Sequence, residues 1–171
     1  MNEEIFPRSL FLKKIFFDLK FKQMANSETL RDLIRINNDR VTGYSKAAAQ
    51  AKDDDLQSLF SQLAQQSRQF ANELRSYISD SDKDVTDETT TAGKIYRTWM
   101  DVKATFGGDS RKAVLASCEF GEDAAQKAYK EALEEDDLSI DVRAIIEDQK
   151  ATLRVAHDKI KMMRDTAVAH H

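Results

Sequence analysis

In 171 residues the chain holds one cysteine, one proline, five glycines and three histidines, and none of its apolar runs approaches the roughly 18 residues of a membrane span. Each scarcity excludes something. The lone Cys118 rules out an internal disulfide, suits a reducing cytosol and reads as a small core residue rather than a reactive thiol. So little Pro and Gly leaves few turns for a sheet protein and few breaks in a helix. Positive charge is not in excess either. A net charge of -4 and a pI near 5.5 leave no broad cationic surface for phosphate backbones, so nucleic-acid binding is not expected. A glycine-rich phosphate loop is absent, and no Ser or Cys nucleophile has an identifiable His base. Asp80, Asp82 and Asp84 imitate the opening of a calcium loop. Val85 stands where that turn needs Gly, however, and Thr91 where the closing Glu belongs, so the stretch reads as a solvated acidic loop.

What is present is helical. Hydrophobic residues make up 41% and charged residues 33%, the balance of a soluble single domain able to bury a sizeable core. The first 23 residues stand apart, with five of the nine Phe (Phe6, Phe11, Phe16, Phe17, Phe21) among Arg8, Lys13, Lys14, Lys20 and Lys22. Their net charge is +2, which leaves -6 for the remainder. Lys13 and Lys14 interrupt what would be a signal-peptide core, so a cytoplasmic location is expected. Two readings follow for residues 1–23. One is an upstream extension, with Met24 as the true start and the domain at 24–171. The other is an interfacial helix that lays its Phe into a membrane surface and its Lys against headgroups, provided the mature protein keeps the segment.

From Ser27 onward the apolar spacing is that of long helices. The first is expected from an N-cap at Ser27 to about Lys52, with Leu30, Leu33, Ile34, Asn37, Val41, Tyr44 and Ala48 on one face. Asp53, Asp54 and Asp55 supply a turn and a new cap. The second helix follows through Leu56, Leu59, Phe60, Leu63, Gln66, Phe70 and Leu74 to about Ser79, forming an antiparallel hairpin with the first. A short additional helix with Ile95, Trp99, Val102 and Phe106 is expected before Gly107-Gly108, as a hydrophobic plug over one end. Asp109 or Ser110 then caps a third long helix with Leu115, Cys118, Glu122, Ala125, Tyr129 and Leu133. A fourth carries Val142, Ile146, Gln149, Leu153, Ala156 and Ile160. The expectation from this spacing is an all-α four-helix bundle with one extra short helix between the second and third long ones. The two hairpins also align with each other: Asn37 falls on Glu122, Tyr44 on Tyr129 and Gln66 on Gln149, as in a duplication.

Several short blocks resemble a known family. LRDLIRINNDRVTGY (Leu30 to Tyr44), RTWMDVK (Arg97 to Lys103) with GGD (Gly107 to Asp109), CEFGEDAAQKAY (Cys118 to Tyr129), and Gln149 with HDKIKMMRD (His157 to Asp165) look like bacterial ferritin-like four-helix-bundle proteins known as domain of unknown function 2383. The resemblance covers about residues 28 to 166. It implies the bundle and brings no established activity, cofactor or catalytic residue.

Each long helix thus interrupts its apolar face with one polar residue: Asn37, Gln66, Glu122 and Gln149. That level is where a ferritin-like bundle would hold metal. Di-iron carboxylate bundles place a Glu on each of two helices and Glu-x-x-His on each of the others. Here His157, His170 and His171 are preceded three residues earlier by Arg154, Ala167 and Val168, and three of the four interruptions are neutral amides. A standard di-iron centre is therefore not encoded. The expectation is a buried polar layer in which Asn37, Gln66, Gln149, Tyr44 and Tyr129 surround Glu122 and fix helix register, with no cofactor and no catalytic residue. The competing reading is a divergent site for iron or another divalent metal on Glu119, Glu122 and His157, used for iron handling or redox protection. If Glu122 lies level with Gln149, His157 falls opposite Val114, roughly 7.5 Å along the axis from Glu119, too far for an easy shared ligand. The function expected is non-enzymatic, acting through binding or assembly as a homo-oligomer or with a protein partner, in a stress-related setting.

Overall fold

In the computed structural model the described residues are 8–78 and 110–167, with 8–11 and 18–26 described in backbone only. They form an all-α bundle of four long helices, α1 (Arg8–Gln50), α2 (Asp54–Arg75), α3 (Arg111–Leu133) and α4 (Ile140–Thr166). No strand occurs among the described residues, and none of these helices is long and apolar enough to cross a membrane. The expected short helix around Trp99 and the acidic loop at Asp80 to Asp84 lie outside the described residues.

Helix α1 differs from the sequence expectation at its start. Ser27 is not a cap but a buried residue inside a helix of 43 residues that continues through Met24. From Arg8 to Gln50 there is no proline and a single glycine, Gly43, so nothing ends the helix where the composition changes. At 1.5 Å per residue α1 is about 64 Å long against about 33 Å for α2, so its first turns extend past the end of α2. Leu12, Phe16 and Phe17 there are 60%, 74% and 69% exposed.

The other ends are fixed by specific groups. Asp53 takes the N-cap position of α2 in extended conformation, yet its side chain makes no capping bond. Asp53 and Asp55 instead grip Arg111 at the start of α3, at 2.9 and 2.6 Å. Ser110 and Ser139 cap α3 and α4 by accepting from the backbone N–H of Ala113 and Val142. Arg143 donates to the carbonyls of Leu133 and Glu135 and so satisfies the end of α3.

Side-chain pairs fix the topology. Arg40 meets Ser67 and Asn38 meets Arg75, so α1 and α2 are antiparallel. Asn37 with Tyr129 and Tyr44 with Glu122 make α1 and α3 antiparallel as well. Helices α2 and α3 therefore run parallel, each starting at the end where Arg111 joins them. The end of α2 and the start of α3 therefore lie at opposite ends of the bundle, about 33 Å apart. The contacts between α1 and α3 are also reciprocal under the hairpin alignment. Asn37 touches Tyr129 and Tyr44 touches Glu122, the pattern of an element paired with a rotated copy of itself.

Two hydrophobic clusters fill the bundle. One holds Leu30, Leu33, Leu74, Ile78, Val142 and Ile146; the other holds Ala51, Leu56, Phe60, Leu115 and Ile160. Each buried Leu, Ile or Phe contributes about 1.5–3 kcal/mol from removal of apolar surface from water. Between the clusters lies a band of polar side chains.

Candidate functional site

At the centre of that band Arg40 and Glu122 form an ion pair, Nη2 to Oε1, at 2.5 Å. Both are buried, at 1% and 0% exposure. Tyr44 donates to the same oxygen of Glu122, and the second guanidinium nitrogen of Arg40 donates to Ser67 Oγ at 2.9 Å. The guanidinium also lies 5.5 Å from the centroid of the Tyr44 ring, which stacks on Phe60. Burial opposes the charge of Arg40, but Glu122 at contact outweighs it and raises the pKa of the guanidinium. Burial, reinforced by the Glu122 charge, pushes Tyr44 well above the ordinary phenol range. Two atoms of this group, Arg40 Nε and Glu122 Oε2, have no hydrogen-bond partner among the described residues.

One turn away a second set crosses all four helices. Asn37 on α1 donates to Tyr129 on α3 at 2.7 Å, and Tyr129 donates to Gln149 Oε1 on α4 at 2.7 Å. Gln149 in turn donates to Glu73 on α2 at 2.7 Å. The chain of donors runs from the dry interior to an exposed carboxylate. Burial raises the pKa of Tyr129, which keeps its hydroxyl a donor.

These contacts correct the expected layer in three respects. Glu122 is not ringed by amides; its counter-charge is Arg40. Gln66 is only half-buried, its Oε1 has no partner among the described residues, and Ser67 takes the interior place on α2. Gln149 is level with Tyr129 rather than with Glu122, a displacement of seven residues or about 10.5 Å. The physical reason is that an apolar face repeating every heptad allows two helices to slide by seven residues without changing which faces are buried.

The same displacement corrects the geometry expected for a metal. His157 falls opposite Asp123, not Val114, with Nε2 at 3.0 Å from Asp123 and Nδ1 at 2.9 Å from Asp158. Glu119 lies one helical turn from Asp123 and binds Arg164. Ligand atoms of Glu119, Asp123 and His157 all lie within 4.8 Å of one another. Glu122, the third expected ligand, points into the core to Arg40 instead.

Arg40 is the functional residue that sequence reasoning missed. Leu30, Leu33, Asn37, Arg40, Tyr44, Ala47 and Ala51 follow alternating steps of three and four, and all are buried, whereas Val41 is half-buried. A strict heptad count would have placed a cation on the inner face, directly opposite Glu122, the fully buried acid of α3.

Residues 25–135 match the model of a family described as Domain of unknown function (DUF2383). The match takes in most of α1 and all of α2 and α3, and it stops short of α4. No curated protein matches the chain.

Proposed function

The chain belongs to the family of that domain of unknown function, and we propose that it is a ferritin-like bundle of the cytoplasm that acts through binding or assembly rather than catalysis. A bacterial, stress-related setting is part of the reading and rests on fold analogy. The observation that carries it is the guanidinium of Arg40 at the bundle centre, bonded to the fully buried acid Glu122. A di-iron bundle gathers several carboxylates there because two cations need their charge. Here one side-chain cation already neutralises the acid and would repel a second. The placement of the end of α2 and the start of α3 at opposite ends of the bundle adds support, since one long connection along the bundle is the ferritin-like arrangement. The test is aerobic Fe(II) oxidation by untagged protein and by Glu122→Ala. No stoichiometric oxidation by either is expected; oxidation abolished by the substitution would sink the reading.

A second reading is favoured by the start of α1, where exposed Leu12, Ile15, Phe16 and Phe17 lie beside exposed Lys13 and Lys14. Apolar side chains beside lysines suit an anionic lipid surface. Flotation of the full chain with phosphatidylglycerol vesicles should succeed, and should fail with neutral phosphatidylcholine or after Phe16→Ser with Phe17→Ser. Equal recovery with both lipids, or no flotation at all, refutes it.

A further inference from the structure

We propose that Glu119, Asp123 and His157 form a mononuclear site for a borderline divalent cation, of which Zn(II) is the type, at the α3–α4 edge of the bundle. The site is separate from the interior ion pair and does not rest on the function proposed above. Glu119 and Asp123 stand one turn apart on α3, so their carboxylates share a face, and antiparallel α4 brings the imidazole of His157 against them. One nitrogen and two carboxylate oxygens suit a cation intermediate between hard and soft. Zn–N and Zn–O bonds of about 2.0–2.2 Å hold ligand atoms no more than about 4.4 Å apart. The three ligand atoms, within 4.8 Å of one another, must therefore draw slightly closer around a cation, and Asp123, whose side chain is 63% exposed, offers the way in.

The orientation of His157 supplies an independent argument. Its Nδ1 faces Asp158 at 2.9 Å, the carboxylate partner that commonly fixes the tautomer of a metal-binding imidazole. With the proton on Nδ1, the Nε2 lone pair faces Asp123 Oδ1 at 3.0 Å, acceptor against acceptor. A cation placed between them would be held by both atoms. Positive groups around the cluster include Arg154, which binds Asp158, and Arg164, which binds Glu119. Arg164 is the competitor for the site, and it can withdraw without losing its other partner, Asp165, at 2.6 Å.

The experiment is Zn(II) titration of the untagged full chain against a chromophoric chelator, repeated with His170→Ala and His171→Ala so that the two terminal histidines are counted separately. One Zn(II) per chain is expected. Asp123→Asn, at an exposed position, and His157→Gln should each weaken binding about tenfold or more, comparable to losses seen on disturbing metal sites. Arg164→Gln should tighten it, because Glu119 loses its competing cation. Helical circular dichroism verifies that each variant is folded. Zn(II) affinity unchanged in folded Asp123→Asn, weakened in Arg164→Gln, or lost only with the terminal histidines overturns the proposal.

Discussion

The ion pair between Arg40 and Glu122 makes a quantitative claim about folding. Arg40→Met keeps most of the side-chain volume but leaves Glu122 in a dry site with only the Tyr44 hydroxyl as donor. Glu122→Gln still accepts from Tyr44 but strands the guanidinium. Removing one member of a buried pair costs about 3–5 kcal/mol, because the remaining charge is desolvated without compensation. For a chain of this size each kcal/mol moves the melting midpoint by about 2–4 °C, so each single variant should melt on the order of 6–20 °C lower. The double variant leaves no charge at this position and also removes the Arg40 Nε, which has no partner among the described residues and is of a kind that costs about 1–3 kcal/mol. It should recover most of the loss, ending within about 2 kcal/mol of the parent, with a coupling of about 3 kcal/mol or more. Urea denaturation of the four proteins completes the cycle. If the two losses simply add, or if Arg40→Met costs less than about 1 kcal/mol, the charges are not confined together and the reasoning fails.

Two further predictions concern pH. Tyr44 and Tyr129 are raised above the ordinary phenol value of 10.0, mainly by burial, so the folded chain keeps both protons while unfolded tyrosines lose theirs. Their contribution is complete below about pH 10 and is lost as pH rises toward the folded values, at about 1.4 kcal/mol per pH unit for each. Tyr129→Phe should flatten the alkaline limb of urea midpoints; an unchanged slope contradicts this assignment. Asp55 is lowered by its bond to Arg111, so its contribution is present above the unfolded value of 3.8 and disappears as pH falls through the folded one. Arg111→Met should therefore differ from the parent at neutral pH and low salt and converge with it in acid; a gap that widens in acid would refute the role given to Asp55.

The amino-acid sequence by itself determined which faces are buried. Apolar residues recurring at helical spacing put Leu33, Leu115 and Ile146 inside and carry Asn37, Tyr44, Glu122, Tyr129 and Gln149 in with them, all at 0–1% exposure. Scarce Gly and Pro made the elements long, although the same scarcity let α1 run through Ser27, where local preference favours a cap. Only the tertiary structure decided how far each helix is slid along its neighbour, and with it which polar groups meet. A heptad repeat is indifferent to a seven-residue shift, so Glu122 beside Gln149 and Tyr129 beside Gln149 bury the same apolar faces. The arrangement that matches Arg40 to Glu122 and lets Asn37, Tyr129, Gln149 and Glu73 satisfy one another is set by pairs up to 92 residues apart, beyond the reach of any local pattern. The trio at Glu119, Asp123 and His157 exists for the same reason, because three suitable side chains become a site only once the register brings them within 4.8 Å.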